Sequence, residues 1–282
     1  MATLTRLAQL EVLHFEDLEA AGVTALVTTR QGGTSTGVYQ SLNLGLHVGD
    51  SPEAVLANRR LVARAMGLHP SDLVVMDQVH GARVALVGPN EAGLGVWELD
   101  EAITATDALV TTTEGLGLVV LVADCVPVLL CDPVARVLAV AHAGWRGTAA
   151  GVLEATVEAM EACGADRARL LVKVGPGVDQ ARFEVGEEVV EALGPLVEPF
   201  VDRSGPKPHV DLMGHVVDRL ERAGIPLGSI EASGYSTAEA GLFFSDRAAR
   251  PCGRFALVAV LRPAGPLSEA PYHEGPMIEG AP

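Results

Sequence analysis

The sequence predicts an α+β fold: a single layered α/β domain built on a mixed or antiparallel sheet. Three observations carry this reading. The apolar runs Leu118 to Val122, Val126 to Leu130 and Val137 to Ala141 follow one another with no helix-length segment between them. Such spacing calls for hairpins rather than strict βαβ alternation, and it disfavours a Rossmann fold. Several of the runs lack polar alternation, as strands covered on both faces do. Three helical patterns lie outside this central block and supply the covering layers.

Strands are expected at Val23 to Thr29, Leu73 to Met76, Val84 to Val87, the three runs above, Leu170 to Val174 and Phe255 to Leu261, where β-branched and apolar residues cluster. Pro52 to Met66 reads as a helix, with Ser51 as N-cap and Pro52 at the first helical position, where its missing N–H costs nothing. A second helix is expected from about Gly147 to Cys163, with Ala149, Val152, Leu153, Thr156, Val157 and Met160 on its apolar face. A third starts at Asp211 and buries Leu212, Met213, Val216, Val217 and Leu220. No repeat or internal linker divides the chain, so residues 1–262 are read as one catalytic domain. The segment Pro263 to Pro282 carries five prolines and little periodicity, and reads as a flexible C-terminal tail.

Composition narrows the function classes. At 282 residues and 49 % hydrophobic, with mean hydropathy +0.30, the chain can bury a full-sized core. A net charge of −16 opposes binding to nucleic acid, which needs clustered Lys and Arg. Four irregularly spaced cysteines, Cys125, Cys131, Cys163 and Cys252, do not make a disulfide scaffold and favour a reducing, cytoplasmic setting. The longest apolar stretch, Leu116 to Leu130, is broken by Asp124 and Pro127 and falls short of the roughly 20 residues that span a bilayer, so no membrane partner is expected.

Polar clusters stand at the ends of the apolar strands, where a rigid scaffold can aim them. A hairpin would bring Cys125 and His142 face to face, and His80 in Gln78-Val79-His80-Gly81 could join them. One thiolate and two imidazoles make a three-ligand zinc site with a fourth position for water or substrate. Two other readings stay open at this point: Cys125 as a nucleophile with His142 as its base, and a buried cysteine beside two hydrogen-bonded core histidines. Asp124 is read as orienting a ligand or acting as acid/base. Arg146, in Gly144-Trp145-Arg146-Gly147, is a candidate for an anion such as phosphate, and Arg30, Arg59 and Asn43 are further candidate substrate residues. His47 reads as a structural loop residue.

Taken together, Thr29-Arg30-Gln31-Gly32-Gly33, Ser41-Leu42-Asn43-Leu44-Gly45, Asn58-Arg59, Gln78-Val79-His80-Gly81, Asp107-Ala108, Ala123-Asp124-Cys125-Val126-Pro127, Ala141 to Gly147 and Phe243-Phe244-Ser245 resemble the laccase-domain family. Its members are variously named polyphenol oxidoreductases, peptidoglycan editing factors and purine nucleoside phosphorylases. The ordered series runs from about Leu13 to Leu261. The resemblance implies a fold similar to the deamidating toxin catalytic domains and zinc held by His80, Cys125 and His142. It further implies phosphorolysis of adenosine, inosine, guanosine and methylthioadenosine, together with adenosine deamination, so purine nucleoside and phosphate are the expected partners. The chain departs from the family pattern in having no Cys in Gly175 to Glu184, and in reading Ser236-Thr237 and Ser245-Asp246-Arg247 near its end. Two alternatives accompany the main reading. One is a peptidoglycan precursor editing amide hydrolase using Cys125 and His142; the other, a copper polyphenol oxidase, is opposed by eight scattered histidines without His-x-His pairs.

Overall fold

The computed structural model describes residues 2–239 and 241–263, so the expected tail lies outside the described residues but for Pro263. The chain opens with β1 (Thr3–Leu7), β2 (Leu10–His14), α1 (Asp17–Ala20) and β3 (Val23–Thr28), followed by α2 (Pro52–Ala65), β4 (Leu73–Val75) and β5 (Val84–Leu86). Its centre is β6 (Ala108–Thr111), β7 (Gly117–Val122), β8 (Val126–Asp132), β9 (Val137–Ala143), α3 (Trp145–Ala150) and α4 (Val152–Ala162). Then come β10 (Leu171–Val174), α5 (Glu187–Leu193), β11 (Val201–Asp202), β12 (His209–Val210), α6 (Leu212–Arg222), β13 (Ile230–Ala232) and β14 (Phe255–Leu261).

The mixed sheet that the sequence predicts occurs twice. One six-stranded sheet has the order β1-β2-β3-β14-β7-β4, and a second the order β13-β10-β8-β9-β6-β5. Neighbours are antiparallel except β4 with β7 in the first sheet, and β13 with β10 and β5 with β6 in the second. The two sheets pack face to face. Leu13, Val27, Val120 and Leu257 from the first meet Leu109, Leu129, Leu138 and Val140 from the second in one apolar cluster. The outer face of the second sheet, with Val128, Leu130, Ala139 and Ala141, is covered by Leu153 and Val157 of α4 and Val216 and Leu220 of α6. The outer face of the first, with Leu26, Val119 and Val258, is covered by Val62 and Met66 of α2. Four layers result, and the missing alternation in the central strands follows: successive side chains of β8 point to opposite faces, and both faces are covered.

Local chemistry sets the helix boundaries. Ser51 caps α2 by accepting the Ala54 N–H, and Asp211 caps α6 by accepting the Gly214 N–H. The helix expected from Gly147 to Cys163 is two helices, because Gly151 at φ +88° adopts the left-handed conformation and ends α3 before α4 begins. On α6, His215 is buried along with Leu212, Val216 and Leu220, whereas Met213 and Val217 are only partly so. The strands β1, β2, β6, β11, β12 and β13 and the helices α1 and α5 went unread in the sequence because each is short or lacks a clear periodic pattern.

The β8–β9 hairpin turns on Asp132, which is fully buried. Its carboxylate accepts the N–H groups of Val134, Ala135 and Asp166 and pairs with Arg169 at 2.8 Å. Burial pushes this carboxyl up, but the Arg169 guanidinium and the three N–H donors outweigh it and hold it at about 2. A depressed carboxyl stabilises the fold above its unfolded value near 3.8, and the contribution disappears as pH falls toward the folded value. Replacing Asp132→Asn is therefore expected to lower stability by about 2 kcal/mol at neutral pH. In urea titrations the difference between the two proteins should shrink steadily from about pH 4 to about pH 2.

Candidate active site

Cys125 lies where the chain crosses from β7 in the first sheet to β8 in the second. His142 is one residue short of the end of β9, and the pleat turns it toward the other sheet, on the face of Leu138 and Val140. His80 stands in the turn between β4 and β5 with φ +62°. Strand ends from both sheets thus converge, and the ligand atoms of His80, Cys125 and His142 all lie within 4.8 Å of one another. His80 is exposed and His142 buried, so the cluster opens to solvent on one side.

One carboxylate organises these groups. Asp107, buried just before β6, takes the Nδ1 of His142 on Oδ1 at 2.9 Å. The same oxygen accepts the His80 N–H at 2.9 Å, while Oδ2 accepts those of Gly81 at 2.7 Å and Val79 at 3.2 Å. The hydrogen bond at Nδ1 leaves Nε2 of His142 as its free ligand atom, the arrangement that metal-binding histidines adopt. Gln78 adds a reciprocal pair with the backbone of Leu121, its Nε2 donating to the carbonyl and its Oε1 accepting the N–H, both at 2.8 Å.

The electrostatics favour a thiolate. Burial pushes the Cys125 thiol up, but the charge of His142 and hydrogen bonds from both histidines bring it down to about 6. Burial likewise pushes His142 down, while Cys125 and Asp107 raise it to about 9. A sulfur already disposed to lose its proton, flanked by two imidazoles, is a donor set that fits a borderline-soft divalent ion. The fit is tight on one side: a Cβ on Gly144 would stand 2.8 Å from Cys125 Sγ and 3.1 Å from His80 Cδ2.

The cluster forms part of the wall of a cleft of about 580 Å³. Met76, Leu99, Trp145 and Phe183 give it apolar surface, and Arg146, Arg247, Arg250 and Arg254 give it positive charge. Of the residues singled out in the sequence, His80, Cys125, His142, Asp124 and Arg146 come together here. Asp124 is at φ +91° and is fully engaged: Oδ1 accepts the hydroxyls of Thr237 at 2.7 Å and Ser245 at 2.6 Å, and Oδ2 accepts the Arg247 N–H at 2.6 Å. It anchors the segment that carries Arg247. Asp107, and not Asp124, hydrogen-bonds the His142 ring.

Arg30, Asn43 and Arg59, expected to hold substrate, do not line the cleft. The Arg59 guanidinium is buried and donates from Nε to the Leu44 carbonyl and from Nη1 to those of Gly95 and Val96 at 2.6–2.9 Å, while its Nη2 has no partner among the described residues. Asn43 Oδ1 accepts the N–H groups of Gly45 and Arg254. Arg30 donates to the Gln40 carbonyl at 2.8 Å and stacks on Phe244. These residues shape the loops behind the site. Conversely, His47 does reach the cleft wall. Asp107 and Arg247 are functional candidates to which reading the residues gave no role; the signal for Asp107 was an acid placed directly before a fully buried strand.

Removing the Asp107 charge with Asp107→Asn is expected to weaken metal binding 10- to 100-fold, the usual cost of losing the partner of a ligand histidine. Gly144→Ala should weaken it too, by displacing Cys125 Sγ. Competition against a chromophoric chelator measures both, and unchanged affinity in the two variants would show that neither residue supports a metal centre.

The model of the family described as multi-copper polyphenol oxidoreductase laccase matches residues 24–262. A curated purine nucleoside phosphorylase of Streptomyces griseus is 46 % identical over 230 residues, covering 81 % of this chain and 90 % of that one. An adenosine deaminase from an unknown prokaryotic organism is 38 % identical over 245 residues, covering 85 % and 93 %. Among solved structures, YlmD from Geobacillus stearothermophilus aligns with TM-score 0.88 at 32 % identity over 93 % of this chain and all of that one. The Bacillus licheniformis hypothetical protein YfiH aligns with TM-score 0.87 at 34 % identity, over 91 % and 98 %. With strand order, cleft and ligand cluster in place, the match over most of its length shows that this chain belongs to the laccase-like polyphenol oxidoreductase family.

Proposed function

We propose that this chain is a zinc-dependent purine nucleoside phosphorylase that also deaminates adenosine. The observation that carries the reading is the convergence of His80, Cys125 and His142 on the wall of a nucleoside-sized cleft that has both an apolar and an arginine-lined part. The names of the relatives support it, since enzymes of both activities share 38–46 % of their residues with this chain over most of its length.

His80, Cys125 and His142 would hold the ion, and zinc bound there supplies a Lewis acid that is active at neutral pH without redox chemistry. The chain's own groups do the rest. Met76, Leu99, Trp145 and Phe183 receive the flat base and exclude water from it. Arg146 offers a charge-assisted site for phosphate, so that its oxygen can bond to the sugar C1′ as the bond from C1′ to the base nitrogen breaks. Asp107 fixes the His142 ring against rotation, and Asp124 fixes the loop that closes the far wall. In deamination the same base pocket presents the purine C6 to water, and ammonia leaves.

Metal-stripped and zinc-reloaded protein, incubated with adenosine with and without phosphate, tests this. Adenine is expected only when zinc and phosphate are both present, and inosine is expected with zinc alone. Cys125→Ser should lose bound zinc and both products. Absence of either product under every condition would sink the proposal and favour the amide hydrolase reading of Cys125 and His142.

A further inference from the structure

Four arginines line the cleft, and their partners divide them into two pairs. Asp246 pairs with Arg250 at 2.5 Å and approaches Arg254 at 3.8 Å, and Arg254 also donates to the carbonyls of Cys252 and Gly253. Those two are committed to their own loop. Arg146 and Arg247 differ: among the described residues neither side chain has an ion-pair partner. This holds although carboxylates outnumber basic side chains 36 to 20 in the chain. Two carboxylates beside Arg247 are already engaged. Both oxygens of Asp124 are taken, Oδ2 by the backbone N–H of Arg247 itself. Glu184, which feels the Arg247 charge, is held by Lys207 at 3.0 Å.

Both guanidiniums are instead steadied by aromatic rings of the cleft wall. That of Arg146 lies 4.2 Å from the Trp145 ring centroid, and that of Arg247 5.5 Å from the Phe183 centroid. A guanidinium on a ring face keeps its N–H edge free in its own plane, and the stacking limits the rotamers that binding would have to freeze. Two such forks facing one cleft, unneutralised in an acidic protein, match the charge and acceptor geometry of a tetrahedral dianion.

We propose that Arg146 and Arg247 form a two-arginine subsite for inorganic phosphate, with Arg247 positioned by the contact of its backbone with Asp124. The use of this phosphate rests on the phosphorylase reading above, but its binding does not. Arg247 is exposed, and its replacement leaves the backbone bond to Asp124 intact, so Arg247→Gln is expected to fold.

Phosphate binding to the zinc-loaded protein, without nucleoside, is measured by calorimetry for the unaltered chain, Arg146→Gln, Arg247→Gln and Arg247→Lys. Each glutamine variant should bind phosphate 10- to 100-fold more weakly, as expected for loss of a charge-assisted contact, with zinc content unchanged. Lysine at 247 should restore only part of the affinity, because it supplies a point charge and no fork. Phosphate affinity that stays the same in both glutamine variants overturns the subsite, even if the unaltered chain makes adenine. Affinity lost as expected in a protein that makes no adenine leaves the subsite standing and overturns the phosphorolysis reading alone.

Discussion

The site depends on one buried carboxylate. Asp107 has no solvent exposure, and a charge so placed is tolerable only when donors surround it. It gathers four: the Nδ1 of His142 and the consecutive N–H groups of Val79, His80 and Gly81. Those three N–H groups can all point at one carboxylate because the chain turns sharply there, with His80 in the left-handed region. That conformation costs roughly 1 kcal/mol for a residue with a side chain, and the charge-assisted bonds offset it. The carboxylate that satisfies its own burial thereby orients the ring of His142 and the backbone of His80.

Packing two sheets face to face explains why the ligands meet where they do. The chain leaves the first sheet at Val122 and enters the second at Val126, so the crossing residue Cys125 stands at the end of the interface between them. His142 reaches the same place from the adjacent strand, since Pro127 is its register partner across β8 and β9. His80 arrives from the turn after β4, which pairs with β7 immediately before the crossing. Residues 45 and 62 positions apart in sequence are thus brought together by strand pairing and by one crossing. The close pass of Gly144 admits no side chain between them.

Much of this was legible in the sequence, and the parts that were not share a cause. All eight expected strands exist, and the Ser51 cap and the start of a helix at Asp211 were read correctly, because uninterrupted apolar runs and helix starts are local signals. That the strands form two sheets was not legible: lack of alternation says that both faces are covered without saying whether by helix or by sheet. His80, Cys125 and His142 were legible as a group through their motifs. Arg59 and Asn43 lie outside the cleft wall, which the sequence does not show because a polar residue in a motif reads the same whether it faces a ligand or holds a loop. Only the carbonyls of Leu44, Gly95 and Val96 around Arg59 decide between these. Arg247 was invisible for the opposite reason. It looks like an ordinary surface arginine until Phe183 and Asp124, from distant parts of the chain, are found beside it.

The distribution of charge completes the reasoning. A chain of net charge −16 repels anions at long range, yet that repulsion between exposed charges fades beyond roughly 8 Å in physiological salt. The wall of the cleft presents four arginines, of which Asp246 contacts two. In the proposed subsite, attraction of an anion is therefore local and rests on guanidiniums beside aromatic rings rather than on the field of the whole protein. An anion captured in this way gains its energy from contact geometry, so its affinity falls less steeply with ionic strength than that of a ligand drawn by a basic surface. The acidic exterior and the arginines of the cleft are compatible because they act over different ranges.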